Sequence, residues 1–196
     1  GFAALMTLAL EHSFFSGRSL WQMILGGVFE RFPDLQVAFV ETEIHWIAPV
    51  IRKLDARLRT GDDWLAFSRF MQRERPFSGL ASDYWNQNCW VGVSPYTPAQ
   101  LPMGTRLPES GAGEEFSVTG DRAMFGVDYP HFETIYPRTP TQVANLAASP
   151  GITDDEVRTI LYGNAAEVYG FDLAALEPDV QRVGFDLSDL PATTAA

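Results

Sequence analysis

The sequence predicts an α/β fold in which helices flank a parallel sheet. Three short apolar segments have the composition of buried strands, at residues 35–40, 89–93 and 123–127. Between and around them lie segments whose apolar residues recur at spacings of three and four, the period of a helix with one buried face. Strands that alternate with helices predict a parallel sheet, and such sheets carry their functional sites at the carboxyl ends of the strands.

Helices are predicted on both sides of the first strand. The apolar residues of segment 19–32 share one helical face, and Pro33 cannot extend that helix. The first strand itself is almost wholly apolar, as a strand buried on both faces would be. A second helix is predicted over residues 46–59, and a further helical segment is expected at 64–70.

The carboxyl-terminal part begins with a capping signal. Thr153 and Glu156 have the spacing at which a hydroxyl and a carboxylate satisfy the first backbone N–H groups of a helix. That helix is expected to be interrupted at Gly163 and Asn164, and a second short helix is expected to end at Gly170. The long segment 94–120 is rich in glycine and proline, and we expect it to be a functional or partly disordered loop.

Composition bounds the class of protein. The chain has 196 residues, 46% of them apolar, which suffices for one domain, expected over residues 1–190, with a disordered tail at 191–196. A net charge of -11 without a basic run argues against nucleic acid as a partner, and no apolar stretch is long enough to cross a membrane. The single cysteine, Cys89, cannot form an internal disulfide, so we expect a cytoplasmic protein.

Acidic residues follow two of the three predicted strands. Glu41 and Glu43 follow the first strand, Ser94 follows the second and Asp128 follows the third. A partly desolvated carboxylate at the end of a buried strand suits a divalent cation and proton transfer from a metal-bound water. A structural role, as a loop cap or as the partner of an arginine, is the alternative for Asp128, and strand position alone does not decide between them.

The other chemically active residues carry weaker signals. His131 lies close to Asp128, whereas His45 and His12 lie in or near helices, where structural or surface histidines are common. Cys89 has no basic neighbour in the sequence and is predicted to lie in the core. Three separated histidines do not form a metal site by themselves, and the sequence motifs of serine hydrolases, nucleotide-binding proteins and zinc peptidases are absent.

Five segments together resemble a known family. They are 27–35, 46–49, 82–84, 124–131 and 160–170, and the most specific is Gly-x-Asp-Tyr-Pro-His within 124–131. The chain resembles the amidohydrolase-related metal-dependent enzymes that include aminocarboxymuconate semialdehyde decarboxylase and related aromatic-acid decarboxylases. The resemblance implies a TIM (β/α)8 barrel, of which the three predicted strands are approximately strands 6 to 8, with the amino-terminal half missing from this chain.

The same resemblance implies roles for individual residues. Asp128 is expected to bind one divalent metal ion, zinc in the first place and otherwise manganese or iron, and to handle the proton of the attacking water. Glu41 stands where many relatives carry a catalytic histidine and is expected to be a second acid or base. His131 and Ser94 are expected to bind substrate or support the site. The remaining metal ligands are expected in protein that precedes Gly1.

Two hypotheses follow. The first is a fragment, inactive alone, of a hydrolase or non-oxidative decarboxylase that acts on a small carboxylated or cyclic organic substrate. The second is a non-catalytic α/β interaction module whose acidic residues form a solvated surface. Because a partial barrel exposes strand edges and apolar surface, the isolated chain is expected to aggregate or to self-associate as a homo-oligomer.

Overall fold

The computed structural model describes residues 1–60, 70–71, 74–93, 118, 120–131, 134–149 and 152–185. The predictions for segments 64–70, 94–120 and 191–196 fall almost entirely outside these residues. The helices and strands, in chain order, are α1 (Phe2–Leu25), α2 (Val28–Arg31), β1 (Val37–Val40), α3 (Ile47–Thr60), α4 (Ala81–Asn88), β2 (Cys89–Val93), β3 (Ala123–Phe125), α5 (Thr139–Ala147), α6 (Asp154–Arg158), α7 (Asn164–Tyr169) and α8 (Leu173–Val183). A 3-10 turn, Gly120–Arg122, precedes β3, and a π-helical turn, Thr159–Gly163, joins α6 to α7. Among the helices described, none has the length and apolarity that a membrane span requires.

The three strands form one parallel sheet in the order β1-β2-β3. Val37 is level with Cys89, and Val91 is level with Ala123. The predicted parallel sheet is therefore confirmed. Because all three strands run in the same direction, the residues that follow β1 and β3 lie at the same end of the sheet.

The core lies between one face of the sheet and the helices. Trp85 of α4 is fully buried and stacks on Phe39 of β1, with ring centroids 6.0 Å apart. Ile47 and Ile51 of α3 are also fully buried in this cluster. On the other face of the sheet, the indole N–H of Trp90 donates to Gln36 at 2.7 Å, and the Arg122 guanidinium lies 4.5 Å from the Trp90 ring centroid.

The first helix differs from its prediction at both ends. It begins at Phe2 rather than Ser19 and ends at Leu25 rather than continuing to Phe32. The amino-terminal part of this helix has no single apolar face, so its sequence did not predict a helix. Several of its large apolar side chains are exposed in the structure, Phe2 by 80%. The break follows from Gly27, whose φ is +67° and where a Cβ would lie 2.3 Å from the Pro76 carbonyl oxygen, so that only glycine fits.

The first strand is less buried than predicted. It begins at Val37 rather than Leu35, and Val40 is 52% exposed. The prediction of a strand buried on both faces is wrong because only the face that carries Val37 and Phe39 packs on the core, whereas Val40 lies on the opposite face and is exposed.

The capping signal at Thr153 is confirmed. The Glu156 N–H donates to Thr153 Oγ1 at 3.2 Å, and the Thr153 N–H donates to the Glu156 carboxylate at 2.8 Å. The predicted interruption at Gly163 and Asn164 is wrong, because both residues are right-handed helical and the helical path continues through the π turn. The end at Gly170 is confirmed by its φ of +69°.

Candidate active site

The predicted site residues lie at the carboxyl end of the sheet. Glu41 directly follows β1, and Asp128 follows β3 after two residues, so they continue the two outer strands of the described sheet. Since adjacent strands are about 4.8 Å apart, these two strands are about 10 Å apart. Ser94, which follows β2, lies outside the described residues.

Asp128 has an unusual backbone and a largely buried side chain. Its φ is +54°, in the left-handed region, and its side chain is 17% exposed. Its Oδ2 atom is buried and accepts no hydrogen bond. His131 Nδ1 lies 3.1 Å from this oxygen, without the alignment of a hydrogen bond. In the part of the chain that the structure describes, no arginine pairs with Asp128, so its Oδ2 remains available to a cation or a proton.

Backbone contacts fix the loop that carries this carboxylate. The C=O of Val127 accepts hydrogen bonds from the Ile135 N–H at 3.2 Å and from the Thr134 hydroxyl at 2.5 Å. The His131 N–H donates to the Asp128 C=O at 2.8 Å, and the Thr134 N–H donates to the His131 C=O at 3.2 Å. The loop thus folds back on the end of β3 and holds Asp128 and His131 together.

Glu41 occupies a different environment. It is exposed, with a φ of +55°, and it borders a groove between α1 and β1. Glu43 has a φ of +57°, and its C=O accepts a hydrogen bond from the Trp46 indole N–H at 3.1 Å. Positive φ is uncommon for residues with a Cβ, so three acidic residues at this end of the sheet share an unfavourable backbone conformation. The structure brings Asp128 and His131 into contact, whereas Glu41 follows a different strand, β1.

Some residues beside the site carried no clear signal in the sequence. The Thr42 hydroxyl is buried and has no hydrogen-bond partner, although the residue directly follows Glu41. The rings of Tyr129 and Tyr136 meet edge to face with centroids 5.2 Å apart, and both are exposed. The sequence could have indicated Thr42 and Tyr129 as site residues only through their positions after predicted strands. Tyr136 contacts Tyr129 because the loop folds back, which the sequence does not indicate.

The residues of this site fit one ligand of a metal ion. Within the described ranges, no cluster of three or more histidine, cysteine, aspartate or glutamate side chains could hold an ion. A catalytic zinc site uses about three protein ligands. The Asp128 carboxylate, one oxygen of which accepts no hydrogen bond, has the chemistry of one such ligand, and a complete site would need further ligands.

The remaining sequence candidates have structural positions. Cys89 is fully buried in the core, as predicted, and this burial raises the pKa of its thiol. His45 is exposed just before α3, which agrees with the predicted surface role. The side chain of His12 lies outside the described part of the structure.

Comparison with solved structures shows which fold this chain shares. It is similar to an amidohydrolase from Mycobacterium avium subsp. paratuberculosis K-10, with 20% identity, a TM-score of 0.55, and coverage of 81% of this chain and 34% of that chain. It is also similar to 5-carboxyvanillate decarboxylase from Sphingomonas paucimobilis, with 20% identity, a TM-score of 0.53, and coverage of 76% of this chain and 38% of that chain. The chain therefore spans little more than a third of the length of either structure. No curated protein matches it.

These similarities agree with a partial amidohydrolase-type barrel. The described sheet is parallel, as a segment of such a barrel would be. Residues 16–171 match the family model described as Amidohydrolase, and this match covers most of the chain. The chain therefore belongs to the Amidohydrolase family.

Proposed function

We propose that this chain forms part of the catalytic barrel of a metal-dependent hydrolase or non-oxidative decarboxylase. In this proposal β1, β2 and β3 are approximately strands 6 to 8 of the barrel. The observation that carries it is Asp128, a largely buried strand-end carboxylate with one oxygen that accepts no hydrogen bond. The decarboxylase among the similar structures supports a small carboxylated or cyclic organic substrate.

Asp128 has the central role in the proposed mechanism. Its Oδ2 would hold one divalent ion, zinc in the first place and otherwise manganese or iron, together with ligands from other parts of the barrel. Such an ion would supply Lewis-acid polarisation of a substrate oxygen. The Asp128 carboxylate would also take up the proton of an attacking water, and His131, whose Nδ1 lies 3.1 Å from Asp128 Oδ2, would pass that proton to solvent.

The other roles are assigned by position. Glu41 would be a second acid or base, because its exposed carboxylate follows β1 at the same end of the sheet. His131 would support Asp128 and contact the substrate. Ser94 would bind substrate, because it directly follows β2, the strand between the other two.

The decisive experiment is the Asp128→Asn substitution in the full-length protein. We expect turnover to fall at least about 100-fold, because the substituted amide binds a cation weakly and cannot take up a proton. Metal content measured by mass spectrometry should fall, while circular dichroism should be unchanged. Asp121→Asn, at an exposed carboxylate just before β3, is the matched control and should retain both metal and turnover. Unchanged turnover in Asp128→Asn would refute the proposed role.

A non-catalytic interaction module is the second candidate, and one observation favours it. Every residue of α8 is exposed, including Leu173, Leu176, Val180 and Val183 along one side. Such a face could bind a partner or mediate the homo-oligomer, and the buried lone cysteine is compatible with a cytoplasmic location. Metal analysis of the full-length protein separates the candidates, since the enzyme should hold about one ion per chain and the module none.

A further inference from the structure

Asp128 lies between two peptide groups that the loop after β3 fixes by hydrogen bonds. On its amino-terminal side, the C=O of Val127 accepts from the Thr134 hydroxyl at 2.5 Å and from the Ile135 N–H at 3.2 Å. On its carboxyl-terminal side, the C=O of Asp128 accepts from the His131 N–H at 2.8 Å. Because the planes of two successive peptide groups define φ and ψ of the residue between them, these bonds determine the backbone conformation of Asp128.

The conformation of Asp128 needs this support. Its φ is +54°, and a left-handed backbone is unfavourable for a residue with a Cβ unless the surrounding structure imposes it. If φ returned to a negative value, the Cα–Cβ bond would turn and the carboxylate would leave its present place beside His131. The direction of the Asp128 carboxylate therefore depends on the bonds to the two flanking peptide groups.

One of these three bonds comes from a side chain, the hydroxyl of Thr134, and the two others come from backbone N–H groups. Thr134 contacts the loop at two further points. Its N–H donates to the His131 C=O at 3.2 Å, and its hydroxyl accepts from the Tyr136 N–H at 3.2 Å. A hydroxyl can donate one bond while it accepts another. Thr134 therefore connects the end of β3, His131 and the returning chain.

The loop is anchored to the fold where it begins and where it returns. The Gly126 N–H donates to the Val93 C=O of β2 at 3.2 Å, and Ile135 is buried. The Thr134 hydroxyl joins the returning chain to Val127, between these two anchors. These hydrogen bonds link residues of this chain to one another, so they do not depend on any other part of a barrel.

We propose that Thr134 is a positioning residue of the candidate active site. Its hydroxyl fixes the Val127 peptide group and thereby keeps Asp128 in the left-handed conformation that directs its carboxylate to the metal ion. The part that concerns the metal ion rests on the proposed function, whereas the effect of Thr134 on the Asp128 backbone does not. A threonine that merely stabilised the fold would leave both the metal affinity and the Asp128 backbone unchanged when its hydroxyl is removed.

The test is the Thr134→Val substitution in the full-length protein, which removes the hydroxyl and keeps a side chain of nearly the same shape. We expect the affinity for zinc, measured by competition with a fluorescent chelator, to fall about tenfold, as is typical when a group that orients a metal ligand is lost. Thr134→Ser should restore the affinity, because it returns the hydroxyl. A loss that serine does not restore would mean that the hydroxyl is not the group that acts.

Thr153→Val is the matched control. Thr153 Oγ1 accepts from the Glu156 N–H at 3.2 Å, and a Cβ added to Gly120, which precedes β3, would lie 3.9 Å from Glu156 Cβ. This threonine is therefore associated with the opposite end of β3 from Asp128. Loss of a capping hydroxyl lowers stability, so the urea midpoint of the control should fall while its zinc affinity stays unchanged. Equal zinc affinities for Thr134→Val and Thr153→Val would overturn the proposal.

Crystal structures of the metal-free variants separate this inference from the proposed function. In Thr134→Val, φ of Asp128 should leave the left-handed region, and the distance from its Oδ2 to His131 Nδ1 should exceed the present 3.1 Å. Both should stay unchanged in Thr134→Ser and Thr153→Val. An unchanged Asp128 in Thr134→Val would overturn the positioning role. If Asp128 moves in Thr134→Val while Asp128→Asn keeps its metal and its turnover, the proposed function fails and the effect of Thr134 on Asp128 stands.

Discussion

His131 and Asp128 contact each other through both their side chains and their backbones. His131 Nδ1 lies 3.1 Å from Asp128 Oδ2, and the His131 N–H donates to the Asp128 C=O at 2.8 Å. The side chain of His131 is 46% exposed and that of Asp128 is 17% exposed, so the imidazole is the more exposed of the two groups. The backbone bond fixes the distance between the two residues, which suits a histidine that orients the carboxylate.

This contact predicts the effect of His131→Ala in the full-length protein. Removal of a group that orients a metal ligand typically lowers metal affinity by about 10–100-fold, and we expect a loss of this size. Competition with a fluorescent zinc chelator measures the affinity. His45→Ala is the matched control, because that histidine is exposed just before α3 and away from Asp128 in the sequence. Equal affinities for both variants would exclude an orienting role for His131.

The left-handed backbone at Glu43 predicts that glycine at this position does not lower the stability of the fold. A φ of +57° is costly for a residue with a Cβ, by about 1–2 kcal/mol, and glycine avoids this cost while losing more entropy on folding. Glu43→Gly should therefore leave the free energy of unfolding unchanged or raise it by up to about 1 kcal/mol. Urea denaturation with a constant slope measures the change. Glu167→Gly, inside α7, should lower the same quantity by about 1 kcal/mol. If the free energy of unfolding falls by a similar amount in both variants, Glu43 does not have a left-handed backbone in solution.

A hydrogen-bonded glutamate predicts one pH effect. The Glu30 carboxylate accepts hydrogen bonds from the Tyr84 hydroxyl and from Ser78 Oγ, the latter at 2.9 Å. These bonds, the Tyr84 bond first, hold the pKa of Glu30 below its ordinary value of 4.5. A carboxyl group with a lowered pKa stabilises the folded state above its ordinary pKa, and this contribution is lost as the pH falls through the lowered pKa.

Tyr84→Phe should therefore raise the pKa of Glu30 towards its ordinary value. The dependence of folding stability on pH should become shallower in the acid range, because the pKa then differs less between folded and unfolded states. Titration of the Glu30 carboxyl carbon by NMR measures the pKa, and the Glu167 signal serves as the internal reference. A Glu30 pKa that does not move would mean that the Tyr84 hydroxyl does not bond to it in solution.

Asn164 predicts a large loss of stability. Its buried amide supplies hydrogen bonds to the C=O groups of Gly120 and Ala123, both in buried residues. Asn164→Ala leaves these acceptors without a donor and should lower the free energy of unfolding by about 2–4 kcal/mol. Asn86→Ala, at an exposed position in α4, should change it by less than about 0.5 kcal/mol. Comparable denaturation midpoints for the two variants would contradict the role of Asn164.

The sequence predicted the strands better than the helices. Cys89–Val93 is recovered with its observed bounds because a continuous apolar run between polar residues has few other uses in a globular protein. Helix α4, with eight residues, is too short for its period to stand out. Helices α5 and α8 were not predicted either, although Asp172 caps α8 by accepting from the N–H groups of Ala174 and Ala175. Apolar periodicity predicts a helix only where that helix packs on the core, and α8 does not pack on the core.

The sequence predicted the positions of the candidate site residues and did not predict their contacts. Strand ends identified Asp128 and Glu41 because a parallel sheet collects those ends at one side. The burial of Asp128 Oδ2 and its contact with His131 depend on a left-handed backbone and on a loop that folds back, which no local sequence pattern specifies. The groove beside α1 depends on how a helix packs next to an edge strand, a tertiary feature.

The exposure of α8 leads to a prediction about stability. Its apolar face makes no contribution to the core of this chain, since none of its residues is buried. Val180→Asp should therefore change the free energy of unfolding of the 196-residue chain by less than about 0.5 kcal/mol. Val143→Asp, in α5 at a position that is 3% exposed, should lower it by about 3–5 kcal/mol because it buries an unpaired charge. If Val180→Asp is as destabilising as Val143→Asp, α8 packs on the chain in solution. If Val180→Asp instead reduces the mass measured by light scattering, the apolar face of α8 is where copies of the chain associate.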